Sequence, residues 1–530
     1  MWLYTAAEAF CKMRLRLGER AVTLAGAQAR ALPRQGKGAT IPSQPWRART
    51  NTAGDMVTPF AALAAAAVLG YSRRVGTART RMWSRAMSAC PATGLKPTRD
   101  PAVDPGANES VSISAAFDAG NAKVISTSAS EAVLEIQADP FTKLEKKSHQ
   151  QWFYFRATAP RGTVHYELRN AGDASFAEAW EGAEVCVSHN RTSWSRVAST
   201  QYDPERGVLS WSFEHTEANP TVYFAYFDPY SYERHIDFVA QCTAAPGARV
   251  RSLGLTLDGR ELDCIEVGDG PLHCWVIHRQ HPGESMASWY AEGLLKRLLG
   301  LPSTSSACSP DALALRLRST YTFHILPNIN PDGAVRGHLR TNASGANLNR
   351  EWSSTGDYLA PTLERSPEVF HTLKAMDETG VDVFVDAHGD EKVPFAFIAG
   401  AEGCPCWGDR IRALQGAFVA AYSRANPDMQ TRFGYEPDAP LEGNLAICSN
   451  QIAERYNCLA VTLEMPFKDI PGSPSPDFSF QGPRAAALGG ALLDALAHVA
   501  PSLRGVDAPE FGPADGYVAP VEFEHAEFLR

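Results

Sequence analysis

The chain has 530 residues, of which 44% are hydrophobic and 21% are charged, a composition typical of a globular protein with a sizeable core. Length alone predicts two or three domains. The net charge of −9 is uneven, because residues 1–99 carry +13 and the remainder −22, which argues against a nucleic-acid-binding face in that remainder. The sequence contains no run of the ~18 to 20 consecutive apolar residues that a membrane-spanning helix requires.

Residues 1–107 form an Arg-rich, acid-poor extension. They resemble an organelle transit region, although a poorly ordered extension or a later start such as Met87 explains them equally well. The eleven cysteines are scattered without a repeated spacing, and the one close pair, Cys404 and Cys406, lacks the partner pair of a structural zinc site. Such scattered thiols are typical of a reducing compartment. We therefore expect a cytoplasmic protein, or a mitochondrial or plastid one if the extension is a transit peptide.

Short alternating apolar runs follow over residues 108–245. Period-2 alternation with turn residues every ten or so positions predicts an all-β sandwich. The runs are VLEIQ, WFYFRA, TVHYELRN, AEVCVSH, VLSWSFEH and TVYFAYF.

From residue 246 to 503 strands alternate with helices. A hairpin is predicted at Asp258-Gly259. The strands HCWVIHRQ, YTFHILPNI, VDVFVDAH and LAVTLEMPF are separated by helical patterns. This alternation predicts an α/β domain whose mixed, mostly parallel sheet is flanked by helices. Residues 504–530 contain Pro, Gly and Glu and are expected to form a tail.

Polar groups follow four of these strands. HCWVIHRQ is followed by His281 and Glu284, YTFHILPNI opens into NPDGAVRGHLRTNASGANLNREW, VDVFVDA ends at His388, and LAVTL runs into Glu464. Each feature is common alone, but the carboxyl ends of parallel strands meet at one edge, where sites of α/β sheets gather. We expect the four groups to converge.

Two histidines and one glutamate make the ligand set of an open catalytic zinc site. Zinc lowers the pKa of a bound water, and Glu464 is the candidate base because Glu284 is occupied as a ligand. The Arg and Asn residues after YTFHILPNI suit a substrate carboxylate and a developing oxyanion. These residues predict a zinc hydrolase that acts beside a free carboxylate.

The chain also resembles the zinc metallocarboxypeptidases, and specifically their cytosolic carboxypeptidase branch. The resemblance rests on HPGES, NPDG, RTNASGANLNREW, DAHGDE and TLEMPFKD, and on QQWFYFRA, YELRN and TVYFAYFDPYSY in the β-rich segment. It implies a zinc peptide hydrolase with one Zn²⁺ per chain. Its zinc ligands are then His281, Glu284 and His388, and Glu464 is its general base and acid.

The same resemblance assigns groups that hold the substrate. Asn349 and Arg350 would bind the terminal carboxylate, and Arg340 would polarise the scissile carbonyl. Many carboxypeptidases also close a tyrosine over the substrate, and Tyr435 and Tyr456 are both candidates. The expected partners are peptide or protein C-terminal tails.

The released residue is expected to be acidic, because several members of this branch remove glutamates from protein tails. Such a preference requires a cation in the side-chain pocket. We expect the segment from His388 past Glu464 to supply it. Its candidates are Arg410, Arg412, Arg424, Arg432, Arg455 and Lys468.

Two other functions remain open. An amidohydrolase of the aspartoacylase type shares a His-x-x-Glu zinc site, although the β-sandwich and the NLNR segment argue against it. An inactive zinc-binding module is the second alternative.

Overall fold

In this computed structural model the described residues are 110–302, 310–354, 359–471 and 479–523. All of them belong to one unit that spans Asp104–Arg530. Residues 1–107, for which an extension or transit region was expected, lie outside the described residues. The last seven residues of the expected tail also lie outside them.

The first domain is a β-sandwich, as predicted. Buried residues alternate along its strands, as in Val164, Tyr166 and Leu168, and they meet in an aromatic core. Its strands are β1 (Ser112–Ser114), β2 (Lys123–Thr127), β3 (Glu131–Glu135), β4 (Tyr154–Thr158), β5 (Gly162–Leu168), β6 (Val185–Ser188), β7 (Ser195–Val197), β8 (Gln201–Asp203), β9 (Val208–His215) and β10 (Thr221–Ala225). They form two five-stranded sheets, with orders β1-β4-β10-β6-β7 and β2-β3-β5-β9-β8.

The second domain is built on a seven-stranded mixed sheet. Its strands are β11 (Ala248–Leu255), β12 (Glu261–Val267), β13 (Leu272–His278), β14 (Tyr321–Leu326), β15 (Val383–Ala387), β16 (Phe397–Ala399) and β17 (Leu459–Glu464). The order is β11-β12-β14-β13-β15-β17-β16. The four inner strands β14, β13, β15 and β17 are parallel, whereas β11, β12 and β16 pair antiparallel at the edges. The predicted hairpin joins β11 to β12, with Gly259 at φ +79°.

Helices cover both faces of this sheet. They are α1 (Tyr232–Ala244), α2 (Met286–Leu299), α3 (Ala312–Thr320), α4 (Pro331–Arg336), α5 (Pro367–Thr379), α6 (Asp409–Ala425), α7 (Cys448–Tyr456) and α8 (Gly482–Val499). Residues of α2, α6 and α8 share one apolar cluster with one face, and residues of α5 and α7 share another with the opposite face. The central strands are therefore buried on both sides, which explains their continuous apolar runs.

Two features differ from the sequence expectations. Helix α1, which the boundary expected at residue 245 assigns to the first domain, packs against β11 and α2 of the second. The segment Gly482–Ser502 is long and apolar enough to span a membrane by length and composition, with a mean hydropathy of 1.2. Because α8 packs against α2 and α6, burial in the protein core explains this composition.

Candidate active site

Three buried side chains meet at the carboxyl edge of the parallel strands. His281 Nδ1 lies 2.6 Å from Glu284 Oε1, and His388 Nδ1 lies 2.8 Å from Glu284 Oε2. The two Nδ1 atoms are 3.1 Å apart. One ion placed ~2.0 to 2.2 Å from each donor would hold such a group together. Two imidazoles and one carboxylate at these spacings fit a zinc ion.

Buried hydrogen bonds fix the corner that carries His281 and Glu284. Arg279, which is 1% exposed, donates from Nε to the Pro282 carbonyl (2.8 Å) and from Nη1 to the Tyr230 carbonyl (2.9 Å). Its φ of 62° turns the chain sharply after β13. These hydrogen bonds fix the conformation of the corner, so it does not depend on a metal ion alone.

A second set of contacts orients both imidazoles. His281 donates through Nε2 to Asn347 Oδ1 (3.0 Å), and His388 donates through Nε2 to Asp386 Oδ2 (2.9 Å). Gln280 also donates to Asp386 (2.5 Å). When an oxygen holds one ring nitrogen, the other is directed at the metal. Both Nδ1 atoms therefore face Glu284.

The ionisation of these three side chains suits a metal site. Burial, together with Arg340, lowers the pKa of His281 to about 3, which keeps this imidazole neutral, the form that binds a metal. Burial opposes ionisation of Glu284, but His281 and His388 outweigh it and hold the pKa of that carboxyl below its usual range. Burial likewise opposes charging of His388, but Asp386 and Glu284 outweigh it and raise the pKa of the imidazole well above its usual value. A zinc ion in place of the proton would meet the same attraction.

A second group of metal-compatible residues has a different explanation. Cys264, Glu266 and His324 lie close together on β12 and β14. Glu266 already pairs with Arg249 and Arg251, each at 3.3 Å. Two guanidinium groups satisfy the carboxylate and repel a cation, so this group is an ion-pair cluster on the sheet.

Glu464 ends β17 on the same edge. Its side chain is 7% exposed, and its Oε2 atom has no hydrogen-bond partner among the described residues. Burial raises the pKa of its carboxyl well above the usual value, and Glu284 also acts in this direction although His388 opposes it. An unpaired buried carboxylate oxygen is costly, and a cost of this kind at a cavity indicates a functional role.

The site opens into a cavity of about 590 Å³. His281, Glu284, Arg340, Asn349, Arg350 and Glu464 all line it. The 3₁₀ turn Leu348–Arg350 presents Asn349, whose Oδ1 accepts from the Cys448 N–H at 2.8 Å. The amide nitrogen, which lies 3.5 Å from His388 Nε2, is therefore the group of Asn349 that can donate to a ligand. The structure therefore brings together the seven residues expected to bind the metal, the substrate carboxylate and the reacting groups. Six of them line the cavity, and the seventh, His388, contacts Glu284.

Known proteins show the same arrangement of domains. Residues 113–227 match the family described as the cytosolic carboxypeptidase N-terminal domain, and residues 237–445 match the zinc carboxypeptidase family. An uncharacterized protein of Zymomonas mobilis is 40% identical over 388 residues, or 73% of this chain and 96% of the relative. This chain belongs to the zinc carboxypeptidase family.

Solved structures agree with this membership. A metallo-carboxypeptidase from Pseudomonas aeruginosa is 38% identical with a TM-score of 0.67, and the match covers 74% of this chain and 100% of that one. A metallo-carboxypeptidase from Burkholderia cenocepacia is 40% identical with a TM-score of 0.66, covering 73% and 99%. The chain spans only 28 to 33% of the length of two curated cytosolic carboxypeptidases that it matches. The predictions of a β-sandwich followed by a metallocarboxypeptidase domain, and of a peptide hydrolase, are confirmed.

The cations expected in the side-chain pocket of this carboxypeptidase lie elsewhere. None of the six is among the described residues that line the cavity. Arg424 pairs with Asp515 (2.9 Å), Arg455 pairs with Asp377 (2.7 Å), and Lys468 donates to the Ala179 and Glu181 carbonyls of the β-sandwich (3.2 and 3.1 Å). Arg410 donates to Leu503, Arg412 pairs with Asp409, and Arg432 lies over the ring of Phe433. The expectation was wrong for these residues because helix-face and interface charges look the same in sequence as pocket charges.

The structure also separates the two tyrosines. Tyr435 lines the cavity and donates to Asp390 Oδ2 (2.6 Å). Tyr456 donates to Asp377 Oδ1 (2.7 Å) on α5 and is not among the described lining residues. Of the two tyrosines, only Tyr435 therefore lines the cavity.

Sequence reasoning missed the residues that orient the two clustered imidazoles. Asp386 could have been suspected, because an acid two residues before His388 inside a buried apolar strand requires a partner. Asn347 and Gln280 carry no such signal. Their roles depend on contacts with His281 and Asp386 that only the fold creates.

Proposed function

We propose that the protein is a zinc-dependent carboxypeptidase that removes the C-terminal residue from peptides or protein tails. The observation that supports this most strongly is the convergence of the His281, Glu284 and His388 cluster with Glu464 and Asn349 in one cavity. The three clustered residues would hold one zinc ion per chain.

The terminal carboxylate of the substrate would bind to Asn349 and Arg350. Asn349 offers an amide N–H whose direction is set by the Cys448 contact, and Arg350 shares the cavity wall. A guanidinium and an amide present fixed donors that match the two oxygens of a carboxylate. This pair would restrict cleavage to the chain end.

Glu464 would move the proton in the reaction. Bound zinc supplies a Lewis acid that polarises the carbonyl and makes a water molecule more acidic. Glu464 Oε2, which is buried and unpaired among the described residues, would take the proton of the attacking water and later pass it to the leaving nitrogen. The Arg340 guanidinium would stabilise negative charge on the carbonyl oxygen.

The identity of the released residue is a finer question. A pocket for a terminal glutamate requires a cation beside the glutamate side chain. The described residues that line the cavity include only three cations. Arg340 and Arg350 are assigned to the carbonyl and the terminal carboxylate, and Lys392 pairs with Glu178 (2.6 Å) on a largely exposed surface. Ser449 and Thr462, which share a buried hydrogen bond of 2.9 Å, line the cavity as uncharged groups. Glutamate therefore remains a hypothesis from the family resemblance, without a pocket cation to support it.

A second candidate is a basic terminal residue. Glu402 and Asp438 line the same cavity and would attract a cationic side chain. The solved Pseudomonas aeruginosa relative contains (2-guanidinoethylmercapto)succinic acid, a compound with a guanidino group. We propose that lysine or arginine is released at least as fast as glutamate.

Peptides that differ only in the last residue test both statements. The zinc-loaded protein is incubated with peptides ending in Glu, Lys, Arg or Leu, and the products are read by mass spectrometry. Loss of one residue from any of these peptides supports carboxypeptidase activity. The order of the cleavage rates shows which terminal side chain the pocket prefers. Cleavage of an N-acyl amino acid without any peptide would instead favour the aspartoacylase-type alternative, and zinc binding without turnover would favour the inactive module.

A cytoplasmic location is also a proposal, supported by the name of the matched cytosolic carboxypeptidases. The alternative is a mitochondrial or plastid location directed by residues 1–107. Imaging of the full chain and of a chain lacking residues 1–107, each fused to a fluorescent protein, distinguishes the two.

A further inference from the structure

One carboxylate of the β-sandwich holds the loop that carries Arg340. Asp139, which follows β3, is only 5% exposed. Its Oδ1 accepts from the Leu339 N–H (2.7 Å), and its Oδ2 accepts from the Arg340 N–H (2.9 Å). Oδ2 also accepts from the backbone N–H and the hydroxyl of Thr341 (2.9 and 3.0 Å). Four donors of the second domain therefore converge on one side chain of the first.

The same loop contacts the corner between the expected metal ligands. The Leu339 carbonyl accepts from the Gly283 N–H at 2.8 Å. A Cβ atom at Gly283 would lie 3.0 Å from that carbonyl oxygen, so the two backbones are in close contact. The loop is thus packed between Asp139 and the turn that carries His281 and Glu284.

A second acid of the β-sandwich holds the far end of this segment. Glu145 Oε1 accepts from the Asn347 N–H (3.1 Å) and pairs with Arg365 (2.9 Å). Asn347 in turn orients His281 through its side-chain oxygen. The first domain therefore anchors residues 339 and 347, which are the two ends of the segment that contains Arg340.

We propose that Asp139 is a positioning residue for Arg340, an inference that rests on the role of Arg340 in the proposed function. An ionised carboxylate only accepts hydrogen bonds, so it matches a site formed entirely by donors. An asparagine would direct its NH₂ group at one or more of these donors and leave them unpaired. Arg340 would then lose its fixed place beside the scissile carbonyl. A misplacement of about 1 Å can cost ~10²-fold in rate.

The test is a double-mutant cycle on the full zinc-loaded chain. Asp139→Asn should lower kcat by roughly 10- to 100-fold with little change in KM, and zinc content should stay at one per chain. In an Arg340→Ala background the same substitution should cost almost nothing. Thr341→Val, which removes one of the four donors, should produce a smaller loss with the same dependence on Arg340. This milder variant keeps the test decisive if Asp139→Asn fails to fold.

Hydrogen–deuterium exchange provides a readout that is independent of activity. The peptide that covers residues 338–347 should exchange faster in Asp139→Asn than in the wild type. Asp428→Asn is the matched control, because Asp428 is also buried (8% exposed) and pairs with Arg484 on α8, away from this loop. It should leave both the exchange of residues 338–347 and kcat near wild-type values.

Three outcomes would overturn the inference. They are equal losses with and without Arg340, unchanged exchange of residues 338–347, and a loss of zinc that accounts for the lost activity. A wild-type protein that cleaves no peptide would instead count against the proposed function, while the exchange result would still decide whether Asp139 orders the loop.

Discussion

Asp386 Oδ2 lies 2.9 Å from His388 Nε2, and neither side chain is more than 1% exposed. The carboxylate fixes the ring so that Nδ1 faces Glu284, and it makes the imidazole a better donor to a cation. Asp386→Asn should therefore weaken zinc binding by roughly 10- to 100-fold while the fold is retained. Competition with a chelator measures the affinity. Asp377→Asn, on an exposed carboxylate paired with Arg455, should leave it unchanged.

His281→Ala should remove most of the zinc from the purified protein. Two remaining protein ligands hold zinc far less well than three. Elemental analysis gives the zinc content, and His371→Ala on α5, outside the described cavity lining, is the control that should keep it. Full zinc occupancy in both His281→Ala and His388→Ala would refute the ligand assignment.

Glu464→Gln should keep both zinc and stability but lose the chemical step. The amide has nearly the size of the carboxyl and cannot accept the proton of water, and removal of a general base typically costs ~10²- to 10⁴-fold in rate. Turnover of a peptide under saturating conditions measures this loss. If the variant turns over at nearly the wild-type rate, another residue accepts the proton.

Glu368 predicts that stability falls as the pH rises from about 4.5 to about 8. Its side chain has no exposed surface, and burial raises the pKa of its carboxyl to about 8, while Asn342 acts in the opposite direction. The folded state therefore holds this proton more tightly than the unfolded chain does. The stability contributed by Glu368 is full below the unfolded pKa and is lost as the pH rises through about 8.

Glu368→Gln should accordingly flatten the fall in stability between about pH 5 and about pH 8. Urea denaturation at both pH values measures the free energy of unfolding. Asp494→Asn, which changes a half-exposed carboxylate paired with Arg297, should retain the wild-type pH dependence. Parallel curves for the wild type and Glu368→Gln would contradict the buried-proton explanation.

The sequence could predict the parts of the site that depend on local pattern. Strand ends and their polar residues are local features, so His281, His388 and Glu464 could be named before the fold was known. The resemblance then supplied roles for Arg340, Asn349 and Arg350.

Contacts between distant segments could not be predicted in this way. Lys468 follows Glu464 closely in the chain, yet its ammonium group contacts backbone carbonyls of the β-sandwich. The reason is that the segment after β17 packs against the first domain. Asp139 is 201 residues from Arg340 in the chain, and no periodicity links them. The short strand β16 and helix α4 were also missed, because three and six residues are too few to show a period.

The most direct test of the central claim is a comparison of one peptide in its acid and amide forms. Each is incubated with the zinc-loaded wild type, with Glu464→Gln and with Arg350→Lys. We predict that the wild type shortens the acid form by one residue and leaves the amide intact, because the amide lacks the charge that Asn349 and Arg350 are proposed to bind. Arg350→Lys should cleave the acid form poorly, since a lysine cannot reproduce the fork of donors. Equal cleavage of the acid and amide forms by the wild type would contradict a carboxypeptidase.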